Sequence, residues 1–261
     1  MNSSVVLGID IGGTNTVYGF IREDGHIHDH EEIPTKGADP VTDLVGRIES
    51  RTDHFLKENP QLVLSGIGVG APNGNHFTGM IQDPPNLSWG NVNIVEIFKE
   101  RFSCKTSLTN DANAAALGEK HYGIAKDMND FIVITLGTGL GSGIFSGGRL
   151  LYGHDGFAGE MGHMPVKYDG RSCNCGNRGC LESYASASGI RKTVEDLKQE
   201  FPDDEFLNSI YTDKIDGLLI DSAFDNGNEM AKRIYEFTGK NPGQGLAQAA
   251  TLLSPEAFIF Y

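Results

Sequence analysis

The sequence has few of the features that mark secreted, membrane-spanning or nucleic-acid-binding proteins. Apolar runs such as Phe131–Leu136 fall far short of the ~20 residues needed to cross a bilayer. The 21 basic residues face 35 acidic ones, and a net charge of −14 argues against an extended surface for nucleic acid. The first residues carry no basic segment ahead of an apolar one, so no signal peptide is expected. We therefore predict a soluble, cytoplasmic protein that binds neither nucleic acid nor a membrane.

Glycine is the residue present in excess. The chain of 261 residues contains 34 glycines, roughly twice the usual ~7% share. They follow no three-residue period, which excludes collagen, and apolar residues spread along the whole chain argue against global disorder. The glycines cluster, and the clusters indicate turns with a specific purpose.

The pattern of strands and helices predicts an α/β protein. Val5–Asp10 and Phe131–Leu136 are apolar runs typical of buried strands, and each is followed by a glycine-rich turn and a second strand. This repeated unit suggests two related domains, which we place at residues 1–115 and 116–261. Strands alternate with helices between the two units, which indicates the α/β class. Further expectations are helices at 40–55, 92–102, 111–122, 185–201 and 229–253, strands at 64–69 and 106–109, and a loop at 202–216.

Both glycine turns fit a site for nucleotide phosphate, because glycine lets successive backbone amides approach an anion closely. Neither is a Walker loop, since no Gly-Lys-Ser/Thr follows, and neither is a dinucleotide fingerprint, since the glycines lead into a strand. Either turn alone could be an ordinary hairpin. Two of them favour nucleotide binding, with Asp10 as a candidate ligand of the Mg²⁺ that accompanies ATP. The candidate phosphate-binding residues are Gly12, Gly13, Thr14, Asn15, Gly137, Thr138 and Gly139.

A cysteine–histidine cluster predicts a zinc site. Cys173, Cys175 and Cys180 lie close together, and His163 stands ten residues before the first of them. Three thiolates and an imidazole are the ligand set of a closed tetrahedral zinc site, which is structural because no position remains for a metal-bound water. Disulfide pairing is disfavoured in a reducing compartment and by the odd number of clustered thiols. Unliganded buried thiols remain the simpler alternative.

Asp111 follows a strand and begins a helix within the segment Asn110–Asn113. The commonest role of an aspartate in such a place is to cap the helix. The alternative is a general base that accepts the proton of a sugar hydroxyl while that oxygen attacks a phosphoryl group.

These segments stand in the order found in ROK-family sugar kinases, a family whose name joins repressors, open reading frames and kinases. The sequence resembles that family from residue 7 to about residue 190 and more weakly beyond. The segment Cys-x-Cys-Gly-x-x-Gly-Cys-x-Glu at 173–182, with its upstream Glu160 and His163, is the most specific part of the resemblance. The resemblance implies an actin-like, ribonuclease-H-like ATPase fold with two lobes around a cleft.

The same resemblance implies an ATP-dependent kinase that phosphorylates the 6-hydroxyl of a hexose, with Asp111 as the catalytic base. Glucose is the expected substrate, because the motifs resemble those of glucokinases. His163 would bind zinc through one ring nitrogen and face the sugar with the other. The family often forms dimers, so a homodimer is expected. The residues implied to contact the sugar are Asn73, Asn110, Glu160, His163 and Glu182.

Other functions remain open within the family. Kinases for N-acetylmannosamine, N-acetylglucosamine, fructose or allose share nearly the same polar residues. A non-catalytic sugar sensor that lacks its DNA-binding module is a further alternative. A transcriptional repressor is disfavoured, because the first strand begins at Val5 and leaves no room for a helix-turn-helix module.

The end of the sequence departs from the family. Residues 241–247 and 253–260 resemble the segment on the adenosine side of the family's site. In relatives the corresponding strand continues into a further glycine-rich turn and more helices, whereas this sequence stops at Tyr261. We therefore expect the second domain to be incomplete at its C-terminus, and ATP binding to be impaired if nothing follows.

Overall fold

The chain forms two compact units in a computed structural model that describes residues 3–85, 87–212 and 215–261, with the side chain of Ser3 excepted. The first unit comprises Met1–Asp127 and Leu150–Ala158, and the second comprises Met128–Arg149 and Gly159–Tyr261. Residues 115 and 116, where the sequence suggested a domain boundary, lie within one helix of the first unit. Each unit has its own sheet and its own buried apolar cluster.

The first unit is built around a mixed sheet. Its strands are β1 (Ser3–Ile11), β2 (Asn15–Ile21), β3 (Ile27–Pro34), β4 (Leu62–Gly70), β5 (Met80–Ile81), β6 (Val92–Asn93) and β7 (Lys105–Thr109). Five of them form one sheet in the order β3-β2-β1-β4-β7, and β5 pairs with β6. Its helices are α1 (Val41–Glu58), α2 (Ile94–Phe102) and α3 (Asp111–His121).

Parallel pairing in this sheet aligns the ends of three strands. Asp10 of β1 pairs with Gly70 of β4, and Gly70 pairs with Thr109 of β7. Because β1, β4 and β7 run in the same direction, their carboxyl ends meet at one edge of the sheet, where ligand sites of parallel sheets commonly form. This edge brings Asp10 close to the start of α3.

The predicted helix at 40–55 is confirmed as α1, and its apolar spacing explains its packing. Val41, Leu44, Val45 and Ile48 are all buried, at the i, i+3, i+4 and i+7 positions of one face. That face covers the sheet, where the ring of Phe55 stacks on Phe20 of β2 at 3.8 Å between centroids. The core of the first unit therefore lies between α1 and the strands.

The described residues of the second unit form five helices and a four-stranded sheet, whose edge strand ends at Leu150, the residue at which the chain returns to the first unit. Its strands are β8 (Phe131–Leu136), β9 (Leu140–Ser146), β10 (Arg149–Leu150) and β11 (Ala257–Phe260), in the order β10-β9-β8-β11. β8 and β9 form an antiparallel hairpin, and β11 pairs with β8 in parallel. Its helices are α4 (Glu182–Ala185), α5 (Ala187–Glu200), α6 (Glu205–Ser209), α7 (Gly217–Asp225) and α8 (Glu229–Leu253).

The structure differs from the expected elements in several places. The loop predicted at 202–216 contains α6, so that prediction is wrong at 205–209, while residues 213 and 214 lie outside the described residues. Asp204 caps α6 by accepting a hydrogen bond from the Leu207 amide, and Leu207 is fully buried. The helix predicted at 185–201 is interrupted at Ser186, whose hydroxyl caps α5 at the Gly189 amide. β3 and α7 were not anticipated.

No helix among the residues described in the structure is both long enough and apolar enough to cross a membrane.

We predict that Ile48→Ala destabilises the first unit by about 2–5 kcal/mol, because Ile48 is fully buried between α1 and the sheet and the change leaves a cavity. The measurement is urea-induced unfolding followed by circular dichroism and tryptophan fluorescence, since Trp89 belongs to the first unit. Ile27→Ala is the matched control, because Ile27 is 55% exposed on β3. Equal shifts in the two variants would contradict the assignment of the core.

Candidate functional site

The first glycine turn connects β1 to β2 and is fastened to the unit by Thr35. The Thr35 hydroxyl donates to the Gly12 carbonyl at 2.7 Å, and the Thr35 amide donates to the Thr14 carbonyl at 2.8 Å. The turn is closed by a bond from the Gly12 amide to the Asn15 carbonyl at 2.9 Å. The side-chain amide of Asn15 donates to Glu32 of β3. The turn is therefore a hairpin in which the carbonyls of Gly12, Thr14 and Asn15 accept hydrogen bonds and Thr14 is exposed.

Asp10 and Asp111 both lie close to Gly70 at the carboxyl edge of the sheet. A Cβ atom on Gly70 would lie 3.7 Å from Asp10 Oδ1 and 3.8 Å from Asp111 Cα, which are ordinary contact distances. Partial burial of the Asp10 carboxyl raises its pKa, and the nearby negative charge of Asp111 raises it further. Two carboxylates that repel each other in this way are a suitable place for a divalent cation.

The structure tests one of the two roles predicted for Asp111, that of helix cap. The cap of α3 is Asn110, whose side-chain oxygen accepts a hydrogen bond from the Asn113 amide at 2.7 Å. Asp111 is the first residue of the helix and is exposed, with Oδ1 2.8 Å from the amide of Ala112. Since Asn110 caps the helix, the alternative that Asp111 is the cap is wrong.

Asn73 shapes a neighbouring turn of the first unit. Its φ of 52° is in the left-handed region, which asparagine tolerates better than most residues. Its side-chain amide donates to the carbonyls of Gln82 at 3.0 Å and Asp83 at 3.1 Å. The turn is thereby held to the segment that follows β5. A contact between Asn73 and sugar stays a prediction.

The second glycine turn connects β8 to β9 in the second unit. Gly137 donates its amide to the carbonyl of Gly139 at 3.0 Å, which closes the turn. Gly137 and Thr138 are exposed and Gly139 is half-buried. The strand–turn–strand unit predicted twice is therefore present twice, once in each compact unit.

The ligand atoms of His163, Cys173, Cys175 and Cys180 all lie within 4.8 Å of one another. The Cys173 sulfur is 3.6 Å from His163 Nδ1, and the Cys175 and Cys180 sulfurs are 3.7 Å apart. Zinc–sulfur bonds of ~2.3 Å in a tetrahedron place neighbouring sulfurs about 3.8 Å apart. The four side chains therefore fit a zinc ion in both chemistry and spacing.

The thiols of the cluster differ in acidity. Burial raises the pKa of Cys180 to about 12, and its hydrogen bond to Cys175 adds to that effect. Burial also acts on Cys175, but hydrogen bonds from the Asn177 backbone and from the other two thiols outweigh it and lower the pKa. Thiolates crowded in this way repel one another unless a cation is shared among them.

His163 links the cluster to a carboxylate. The residue lies in a single 3₁₀ turn, Met161–His163, with Nδ1 toward the Cys173 sulfur and Nε2 4.0 Å from Glu160 Oε2. The two ring nitrogens therefore face different groups, and a contact between His163 and sugar stays a prediction. Glu160 and His163 share one side of this turn.

Arg171 is a residue of the site that the sequence did not reveal. Its guanidinium donates to the carbonyls of Ser183 at 3.1 Å and Gly189 at 3.0 Å, and lies over the rings of Tyr184 and Phe237. These contacts fasten the metal loop to α4, α5 and α8. A lone arginine two residues before Cys173 gives no signal of such a role, because its partners are 12 or more residues away.

The chain has the actin-like ATPase fold of the sugar kinases that it superposes on. Among solved structures, a ROK family glucokinase from Streptomyces griseus in complex with glucose and AMPPNP matches with a TM-score of 0.79 and 30% identity, over 98% of this chain and 82% of that one. The expected fold is therefore confirmed.

The chain belongs to the ROK family, whose profile matches residues 6–261. A glucokinase of Halalkalibacterium halodurans is 34% identical over 99% of this chain and 80% of the relative's length. A xylose repressor of Bacillus spizizenii is 32% identical over 97% of this chain and 62% of the relative's length. The resemblance drawn from the motifs is confirmed, and the roles of individual residues stay predictions.

We predict that the purified protein contains one zinc ion per chain and that Cys180→Ser lowers this content well below one, because a tetrahedral site loses one of its four ligands. Zinc is measured by mass spectrometry after dialysis against a weak chelator. Cys104→Ser is the matched control, since Cys104 belongs to the first unit and is not one of the four candidate ligands. Stoichiometric zinc in Cys180→Ser would contradict the ligand assignment.

Proposed function

We propose that this protein is an ATP-dependent hexose kinase that converts glucose to glucose 6-phosphate. The observation that carries the proposal is the similarity to glucokinases across nearly the whole chain, with an exposed aspartate at the first turn of α3. The Streptomyces griseus structure, which holds glucose and AMPPNP, supports both substrates.

Asp111 is the catalytic base of the proposed reaction. Its carboxylate accepts the proton of the sugar 6-hydroxyl while that oxygen forms a bond to the γ-phosphorus of ATP. The bond from the γ-phosphorus to the bridging oxygen breaks, and ADP leaves with the electron pair. Asp111 is suited to this step because Asn110 performs the capping and leaves the aspartate exposed.

The two glycine turns are the candidate phosphate-binding segments, with Gly12, Gly13, Thr14 and Asn15 in the first unit and Gly137, Thr138 and Gly139 in the second. The amides of Gly12 and Gly137 close their own turns, so the proposal assigns phosphate to the other amides and to the hydroxyls of Thr14 and Thr138. Mg²⁺, when bound with ATP, neutralises the phosphate charge, and Asp10 is its candidate ligand. The raised pKa of Asp10 is consistent with a carboxylate that a cation would stabilise.

The proposed sugar contacts are the polar residues that the resemblance to the family implies. In the first unit, Asn73 follows β4 and Asn110 follows β7. In the second unit, Glu160 precedes the 3₁₀ turn that contains His163, and Glu182 begins α4. His163, Cys173, Cys175 and Cys180 would give a bound zinc ion four protein ligands. Such a zinc would stabilise the loop between Glu160 and Glu182 without a direct part in the transfer. A cytoplasmic location and a homodimer stay predictions.

We predict that Asp111→Asn lowers kcat by about 10²–10⁴-fold, because the base is lost while the shape of the side chain is kept. Glucose affinity, measured by calorimetry, is expected to change less than threefold. The rate is measured by coupled ADP release. Asp53→Asn is the matched control, since Asp53 is exposed on α1 of the same unit. Turnover within tenfold of the unaltered protein would contradict the role of base.

The substrate is tested by ADP release over a panel of glucose, fructose, allose, N-acetylmannosamine and N-acetylglucosamine. We expect glucose to give the highest kcat/KM. A higher value for an acetylated hexosamine would assign the protein to the other kinases of the family. Sugar binding without ADP release would favour the sugar-sensing alternative, which the similarity to xylose repressors keeps as the second candidate.

A further inference from the structure

The second glycine turn is bonded to the start of α5. The amide of Ala187 donates to the carbonyl of Gly137 at 3.0 Å, and the hydroxyl of Ser188 donates to the carbonyl of Thr138 at 2.7 Å. Carbonyl oxygens repel a phosphate, so a turn that binds phosphate must direct them elsewhere. These two bonds hold both carbonyls on the helix side of the turn.

Glu182 forms a hydrogen bond at the other end of the same turn, where β9 begins. Its Oε2 accepts a hydrogen bond from the amide of Leu140 at 2.9 Å. A Cβ atom on Gly139 would lie 2.5 Å from this oxygen, so only glycine allows the backbone to come this close without displacing the carboxylate. A hydrogen bond between a carboxylate and an amide is charge-assisted and therefore stronger than a neutral one.

The same segment is continuous with the metal loop. Glu182 follows the zinc-ligand candidate Cys180 by two residues, and Ser188 follows Glu182 by six. Ser186 joins α4 to α5, because its hydroxyl donates to the Glu182 carbonyl at 2.8 Å and accepts from the Gly189 amide at 3.2 Å. The position of the turn therefore depends on the loop that zinc would fix.

We propose that Ser188 and Glu182 are positioning residues for the nucleotide. They hold residues 137–140 in the conformation that accepts phosphate before ATP arrives, and Glu182 connects that conformation to the metal loop. A turn that is held in advance loses less conformational entropy when the ligand binds. The inference rests on the proposed function, since it concerns the same nucleotide site. Glu182 can also contact the sugar, because a carboxylate accepts several hydrogen bonds.

The first test replaces Ser188. In calorimetry with Mg²⁺ and ADP and without hexose, we expect Ser188→Ala to weaken ADP binding about three- to tenfold, the range for one lost hydrogen bond. Ser188→Thr keeps the hydroxyl and should restore affinity to within twofold. The KM for ATP should rise in the alanine variant while the KM for glucose changes less than twofold. Unchanged ADP affinity in Ser188→Ala would overturn the proposal.

Ser209→Ala is the matched control. Its hydroxyl also donates to a backbone carbonyl in the second unit, that of Phe206 at 2.7 Å, but it lies at the end of α6. ADP affinity should be unchanged in this variant. A loss equal to that of Ser188→Ala would assign the effect to general destabilisation and count against positioning.

The second test replaces Glu182. Glu182→Gln keeps an oxygen that can accept from Leu140, so ADP affinity without hexose should stay within threefold. Glu182→Ala and Glu182→Asp, which is one methylene too short, should each weaken ADP binding about five- to twentyfold. A side chain that only binds sugar would leave ADP affinity unchanged in all three variants, and that result would overturn the role of Glu182.

The two proposals fail in different ways. If the unaltered protein phosphorylates no hexose but still binds ADP more tightly than Ser188→Ala, the kinase assignment falls and the positioning role stands. If the unaltered protein is an active kinase and the Ser188 and Glu182 variants bind ADP equally well, the positioning role falls and the kinase assignment stands.

Discussion

The shape of the exposed loop from His163 to Cys180 depends on bringing four ligand atoms together. Between Met164 and Cys180 most residues are exposed, so apolar packing contributes little to the shape of this segment. The side chains of His163, Cys173, Cys175 and Cys180 nevertheless converge to within 4.8 Å. A metal ion bound by these four side chains would supply the stabilisation that a loop of this composition lacks. Glu160 and Glu182 stand at the two ends of the loop, so its shape sets where both carboxylates lie.

Features encoded by short stretches of sequence could be predicted well. The apolar run at Phe131–Leu136 forms β8, whose first four residues are all buried. Leu44, Val45 and Ile48, which have helical spacing in the sequence, lie on the buried face of α1. The three cysteines needed only glycine turns to approach one another, and the structure places them with His163 as expected. In each case the physical cause acts within about twenty residues, so the pattern is visible in the sequence.

Contacts between distant segments could not be predicted. The bond from the Leu140 amide to Glu182 joins residues 42 positions apart, and Ser188 reaches Thr138 across 50. The sequence around Glu182 indicates a sugar contact. It gives no sign that the same carboxylate accepts a hydrogen bond from the Leu140 amide at the end of the second glycine turn. The helix α6 was missed for a related reason, since it is only five residues long and Leu207 is buried in a cluster with residues of α5, α7 and α8.

The chemistry of phosphoryl transfer explains why such contacts matter. The transition state is loose, so the protein contributes chiefly by fixing the positions of the reacting groups and by neutralising charge. A displacement of about 1 Å in a phosphate-binding turn can cost 10²-fold in rate. A glycine turn is intrinsically mobile, and this one is restricted by a hydrogen bond that Glu182 accepts and by two that Ala187 and Ser188 donate. A metal site without an open coordination position can therefore affect the proposed reaction through the backbone of the turn, although it touches neither phosphate nor the attacking oxygen.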